Sequence, residues 1–363
     1  MPDALLVIGT RKGLFLARSR DDRATWELDG PHFPTDAVYA AAIDIRRDPP
    51  RLLVAATSGH WGPTVYRSDD LGKTWDESEG GALRFPQETG AALEHVWQLR
   101  PAPEGRSDVV YAGVEPSALF KSEDAGETFE LVEGLWNHPH RPTWTPGGGG
   151  LCLHTIIEHP TNADRITVAM STGGVYRTTD GGATWEASNR GVAAPFLPDP
   201  EPEYGQCVHK IAAHPRKPEQ FFLQNHGGVY RSDDDGRTWA SIGDGLPATF
   251  GFPVIVHPHR PGVAYVFPLI ADASRMPPEG RARVFRTPDA GDTWEALSAG
   301  LPEQHAYFAV LRDAMCADAA QPAGVYFGTR NGEVYASRDE GDSWAPVALH
   351  LPDVYVVRAA VLE

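Results

Sequence analysis

An octapeptide of the form Ser/Thr-x-Asp-x-Gly-x-Thr/Ser-Trp occurs seven times along the chain. The copies begin at Ser19 (SRDDRATW), Ser68 (SDDLGKTW), Ser122 (SEDAGETF), Thr178 (TTDGGATW), Ser232 (SDDDGRTW), Thr287 (TPDAGDTW) and Ser337 (SRDEGDSW). The first has Arg23 where glycine is expected, and the third closes on Phe129 instead of tryptophan. Successive copies lie 49, 54, 56, 54, 55 and 50 residues apart, a mean of 53. Seven such units account for the 363 residues, so the spacing predicts one repeat domain over 1–363 with no room for a second.

Each octapeptide reads as a tight turn. Its aspartate can accept backbone N–H bonds across the turn and its glycine supplies a positive φ. The closing tryptophan is an apolar anchor where the next strand begins. Ahead of each turn stands a β-like run such as GGVYRT or GEVYAS, ahead of that another such as RITVAMS or QFFLQN, and further upstream CLHTIIEHP or CVHKIAAHP. With the strand after the turn, each unit holds four strands. The fold class expected is all-β: a single seven-bladed β-propeller with four-stranded antiparallel blades. Only 18 residues precede the first octapeptide, enough for two strands (LLVIGT and GLFLARS), while VYVVRAAVLE at the C-terminus is one strand too many. The C-terminal strand, about 354–363, is therefore expected to complete blade one and remove the open edge.

Apolar residues make up 41% of the chain and charged residues 22%, which allows a large core and excludes a disordered polymer. A formal charge of −17 opposes phosphate backbones and anionic membranes, so neither nucleic acid nor a membrane is expected as a partner. Cys152, Cys207 and Cys316 are an odd set without disulfide spacing, which suits a reducing, cytoplasmic compartment. The sequence shows no positively charged start before an apolar stretch, and no run near the roughly 18 apolar residues of a spanning helix.

The seven octapeptides resemble those of the Asp-box (BNR) propellers, a group that includes sialidases, xyloglucanases, sortilin-type receptors and photosystem II assembly factors. The chain is also similar to bacterial WD40/YVTN/BNR-like proteins that carry the names exo-alpha-sialidase or glycosyl hydrolase. The resemblance covers the whole chain and implies the propeller fold, but the turn recurs across hydrolases, receptors and assembly factors and so does not select a chemistry. Sialidases of the group carry an Arg-Ile-Pro motif, which this sequence lacks. The nearest string, Phe285-Arg286-Thr287-Pro288, enters an octapeptide. An enzyme of this sequence would be a hydrolase or lyase, not a typical sialidase.

In an antiparallel meander the octapeptide turns share one face with the turns that follow His159-Pro160, His214-Pro215 and His257-Pro258. The other face receives the long segments GGALRFPQETGAALEH, EGLWNHPHRPTWTPGGGG and SNRGVAAPFLPDPEPEYGQ. Connections this long in a compact fold are usually functional. Hairpins on that face add Arg11 and Lys12, His60 and Trp61, Glu115, Asn225 and His226, and Arg330 and Asn331. Asn225 and His226 equally suit a strained turn before Gly227, and Trp61 a lid packed on its own loop.

Aligning inner strands on their closing proline puts Trp97, His154, His209 and Phe252 at one level, with His95, Cys152, Cys207 and Phe250 two residues earlier. Two adjacent blades then present Cys-x-His pairs at a channel mouth. Cys152, His154, Cys207 and His209 together are ligands suited to zinc or copper(I). The same residues also suit a polar small-molecule pocket, or plain packing between blades. His154, His209 and Lys210 are the catalytic candidates. Trp97, His95, Tyr204, His60, Trp61, Asn225, His226, Phe252 and Arg330 are the ligand-binding ones. Glu94 and Glu203 enter the same mouth as acid–base groups or as partners of Lys210. The function expected is binding of a small polar or glycan-like ligand in a funnel formed by blades three to five, with hydrolase or lyase activity. The alternative is a non-catalytic scaffold or assembly factor with a protein partner, as in the photosystem II assembly propellers.

Overall fold

The computed structural model describes residues 3–77, 83–271 and 275–362. Part of the first long connection, Gly80 to Ala82, and the terminal Glu363 lie outside the described residues. The strands form seven four-stranded antiparallel sheets. Each runs from an inner strand at the central channel outward, the pattern of a seven-bladed propeller. Within blade four, Leu153–His159, Asn162–Met170, Gly174–Thr178 and Glu186–Ala187 follow one another in sequence and in space.

Blade one is assembled from both ends of the chain. Val354–Leu362 lies antiparallel to Asp3–Thr10, pairing Leu362 with Asp3 and Val356 with Gly9, and so supplies the inner strand. Gly9 is required there by space: a Cβ would sit 2.5 Å from Val356 Cγ1 and 2.7 Å from Val38 Cγ1. Across the same seam, the Arg23 that replaces a turn glycine keeps the positive φ of 64°. Its buried guanidinium donates to Pro322 O at 3.0 Å and pairs with Asp318 of blade seven at 3.5 Å. The substitution thus exchanges conformational ease for an ionic clasp between the first and last blades.

The repeated turns share one hydrogen-bond network. In the second copy Ser68 Oγ donates to Asp70 (2.8 Å), Gly72 N donates to Ser68 Oγ (2.7 Å), and Thr74 donates to Asp70 through its backbone N (2.9 Å) and its hydroxyl (2.7 Å). Two of the closing tryptophans reach the preceding blade, Trp239 Nε1 donating to Ser188 O at 2.9 Å and Trp294 Nε1 to Ile242 O at 2.8 Å, whereas Trp185 Nε1 donates to Gly182 O of its own turn at 3.0 Å. Trp344 and Phe129 of the octapeptides pack with buried Leu, Val, Ala and Phe side chains between the sheets. Among the described residues no helix is long and apolar enough to cross a membrane.

The network has an electrostatic consequence. Bonds from the Thr four residues on hold Asp21, Asp70, Asp180 and Asp289 below the usual carboxylate range, with Asp21 and Asp180 at about 2. In Asp124, Asp234 and Asp339 burial pushes upward, and the same kind of bonds outweigh it. A carboxyl whose folded pKa lies below its unfolded value stabilises the fold fully above the unfolded value, about 4, and loses that contribution as pH falls through the folded one. The melting temperature is therefore expected to drop steeply between about pH 4 and about pH 2. A melting temperature that stays level across that window in a pH series would contradict the turn account.

Candidate functional site

Most inner strands break register at a single residue. Pairing with the adjacent strand skips Tyr39, Trp97, His154 and His209 in blades two to five, Phe252 with Pro253 in blade six, and Tyr355 in blade one. A bulge sets one extra residue against its partner strand and re-aims its side chain. In blade seven the inner strand begins only at Met315, and Arg312 and Asp313 occupy the segment before it. Tyr39, Trp97, His209, Phe252, Arg312 and Tyr355 line one cavity of about 550 Å³ at the channel mouth.

The cavity wall alternates aromatic rings with guanidiniums. Tyr39 stacks on Tyr355 (centroids 4.7 Å apart) and tilts against Trp97 (5.1 Å). Arg312 lies over the Trp97 ring at 5.4 Å and Arg275 over Phe252 at 5.5 Å. Arg330 completes the rim, bonded to Asp353 at 2.7 Å. Trp97 is held by Glu115, which accepts from its Nε1 at 2.9 Å and pairs with His95 Nδ1 at 3.1 Å. Burial pushes the Glu115 carboxyl up, but these bonds outweigh it and hold it below its ordinary value. The glycine run of the second long connection packs against the same carboxylate. At Gly150, φ is +87° and a Cβ would lie 1.9 Å from Glu115 Oε1. Gly147, Gly148 and Gly149 form a side of the cavity, where small residues leave room for Arg275 and Arg312.

The floor is ionic. Lys210 Nζ donates to Asp313 Oδ1 at 2.9 Å, and Arg358 binds the same carboxylate. Burial lowers the Lys210 ammonium to about 8, against the attraction of Asp313. Burial pushes Asp313 up, but Lys210 and Arg358 together hold it below its ordinary value. Asp313 lines both the mouth cavity and the remainder of the channel, whereas Lys210 lines only the latter. The expected partners of Lys210, Glu94 and Glu203, are thus replaced by Asp313, a residue that the sequence reading did not single out.

The structure brings Trp97, His209, His226, Phe252 and Arg330 of the expected residues to the cavity, together with Cys207. His154 shares their level but is fully buried, with Nδ1 bonded to Thr155 Oγ1 (3.0 Å) and Nε2 to Val208 O (2.9 Å). Both nitrogens are used by the protein, so His154 is a packing histidine and not a ligand or catalyst. Cys152 is buried beside Ser171 Oγ (3.3 Å) and Arg312 (3.4 Å). The four-ligand set of Cys152, His154, Cys207 and His209 is therefore not formed. His95 supports Glu115 from outside the cavity, and Tyr204 stacks on His140 at 4.0 Å between the long connections. Asn225 is buried and donates to Ala193 O at 2.9 Å, while His60 and Trp61 (89% exposed) stand away from the cavity.

Cys207, His209 and His226 have ligating atoms that lie within 4.8 Å of one another, with Cys207 Sγ 3.6 Å from His209 Nε2. His209 Nδ1 faces Gly251 O at 2.6 Å, and burial, with Arg312 next, lowers this imidazole to about 3. It is thus neutral, with Nε2 toward the thiol. A second group, Glu94, His95 and Glu115, also has close ligating atoms, but Glu115 there is taken up by Trp97.

Taken together, the fold and site define a β-propeller with a basic, aromatic-walled cavity at one channel mouth. No model of a known protein family matches the chain. A curated xyloglucanase of Hypocrea jecorina is 24% identical over 324 residues, 80% of this chain and 35% of that protein. The chain spans between 23% and 35% of the length of the curated relatives it matches. Among solved structures, the GH74 xyloglucanase of Xanthomonas campestris superimposes with a TM-score of 0.61 at 16% identity, covering 96% of this chain and 53% of that one. YCF48 of Cyanidioschyzon merolae superimposes with a TM-score of 0.53 at 12% identity, covering 86% and 84%. At these identities the likeness is one of fold.

The division of the two inner-strand histidines is testable. His154→Ala removes a buried ring and strands Val208 O, and is expected to cost roughly 2–4 kcal/mol. His209→Ala opens the cavity and should cost less. Equal melting temperatures for the parent and His154→Ala would contradict this placement.

Proposed function

We propose that the protein binds a small, carbohydrate-like ligand bearing a carboxylate in the cavity at the long-loop mouth of the channel. The lining carries this reading. Arg275, Arg312 and Arg330 meet there against aromatic walls, and the one carboxylate among the described lining residues, Asp313, is already held by Lys210 and Arg358. Arg330 is already paired with Asp353, but Arg275 and Arg312 have no carboxylate partner among the described residues; such guanidiniums in a concave site favour a planar anion, and rings such as Tyr39 and Trp97 offer a surface to the apolar face of a sugar. The xyloglucanases among the similar proteins support a glycan as the ligand class. The shared turn network supports the resemblance to Asp-box propellers, read as one unit over 1–363. Three free cysteines suit a cytoplasmic setting.

Of hydrolase and lyase chemistry, elimination beside a carboxylate is what these groups serve better. Guanidiniums paired with the carboxylate would stabilise charge that develops next to it. Hydrolysis by an acid and base pair requires two carboxyl groups flanking the scissile bond, and the described lining does not offer a second one. The second reading, a scaffold or assembly factor, draws on the YCF48 neighbour and on the exposed Trp61.

Calorimetric titration with a hexuronate trimer and with a neutral xyloglucan oligosaccharide tests the proposal. The acidic sugar is expected to bind, and Arg312→Ala to weaken it roughly 10- to 100-fold through the loss of a charged hydrogen bond. Equal affinity for the neutral sugar, unchanged in the variant, would overturn the anionic reading.

A further inference from the structure

We propose that Cys207, His209 and His226 form a three-ligand site for zinc, with its fourth coordination position open to the cavity. The geometry comes first. Zinc bonds of about 2.3 Å to sulfur and about 2.0 Å to nitrogen, at a tetrahedral angle, set the two ligand atoms about 3.5 Å apart. Cys207 Sγ and His209 Nε2 stand at 3.6 Å, and the three ligating atoms lie within 4.8 Å of one another. The closure needed is a shift of the His226 ring, which sits half-exposed just past the end of Lys217–Asn225.

The supporting contacts agree. A metal-bound imidazole donates its other N–H to a carbonyl or carboxylate, which fixes the tautomer. His209 Nδ1 meets Gly251 O at 2.6 Å, leaving the Nε2 lone pair directed at the thiol. His209 stands two residues from Cys207, at a bulge of its strand, and its ring meets the thiol at the cavity. One thiolate with two imidazoles is a donor set suited to zinc, and three protein ligands leave a position for water or substrate.

Charge decides what fills that position. Arg275 and Arg312 line the same cavity as the three ligands and oppose a bare dication. Binding converts the Cys207 thiol to a thiolate, with one proton released to solvent, and leaves a net positive centre. The open position is therefore completed by an anion, hydroxide or a ligand carboxylate, directly among the guanidiniums. The site does not depend on the glycan reading, and metal binding is expected with no sugar present.

The full chain, purified without a histidine tag and stripped with chelator, should be titrated with Co²⁺ as a spectroscopic stand-in and competed with Zn²⁺. One equivalent is expected to bind, with a thiolate-to-cobalt absorption band of single-thiolate intensity that Zn²⁺ abolishes. Cys207→Ser should remove the band, His226→Gln should weaken binding at least tenfold, and Cys316→Ser, a thiol in blade seven, should leave it unchanged. Melting curves of each variant separate lost ligation from lost fold. A band that survives in folded Cys207→Ser overturns the assignment. So does the lack of any band in parent protein whose Cys207 is rapidly alkylated at neutral pH, a result that would leave a thiol–imidazole pair instead.

Discussion

The pairing of Val354–Leu362 with Asp3–Thr10 is the interaction on which the rest of the molecule depends. A ring of twisted sheets encloses a channel only while each inner strand has neighbours on both sides, and an open ring would expose unpaired edges. The seam is reinforced where it is weakest. Gly9 lets the backbones close on Val356 and Val38, and Arg23 clasps Asp318 and Pro322 across blades one and seven. Tyr355 belongs to the closing strand and stacks on Tyr39 of blade two, so the same pairing that closes the ring also builds a wall of the cavity. Stability and site are coupled through that strand.

The second constraint is charge. The chain carries a formal −17, yet the channel mouth gathers Arg275, Arg312 and Arg330 around a cavity whose one described carboxylate is neutralised by Lys210 and Arg358. Concentrating positive charge in a concave site on an acidic protein focuses the field there and attracts small anions, while the outer surface repels polyanions. The ionic floor also ends the cavity. Carrying a charged triad across the channel separates the wide mouth from the remainder, and each member of the triad is partnered, which is what allows charges to be buried at that depth.

Much of the fold was legible in the sequence because its signal is repeated. The octapeptide fixes the position of every outer hairpin, and the strand left over at the C-terminus, VYVVRAAVLE, could belong only to the blade that lacks one. The site was legible in part. Aligning inner strands on a closing proline found Trp97, His154, His209 and Phe252, but His154 and His209 occupy equivalent bulges, and no local pattern tells that His154 is capped by Val208 O of the next inner strand while His209 faces the cavity. Tyr39 and Tyr355 were missed because their strands lack that proline. The doublets Val38-Tyr39, Val96-Trp97, Val208-His209 and Val354-Tyr355 are the signal that would have found them. Arg275 comes from the long hairpin between Ala264–Leu269 and Val284–Thr287, and Arg312 from a segment ahead of a shortened inner strand, so neither stands in a position that the repeat defines.

The central claim is that this cavity, walled by the bulge residues and their guanidiniums, is where the ligand sits. A crystal structure of the protein grown with a hexuronate disaccharide tests it most directly. The account predicts density for the sugar against Tyr39 and Trp97, with its carboxylate within hydrogen-bonding distance of Arg312 or Arg275. A disaccharide bound on another surface, with the cavity holding solvent alone, would contradict it.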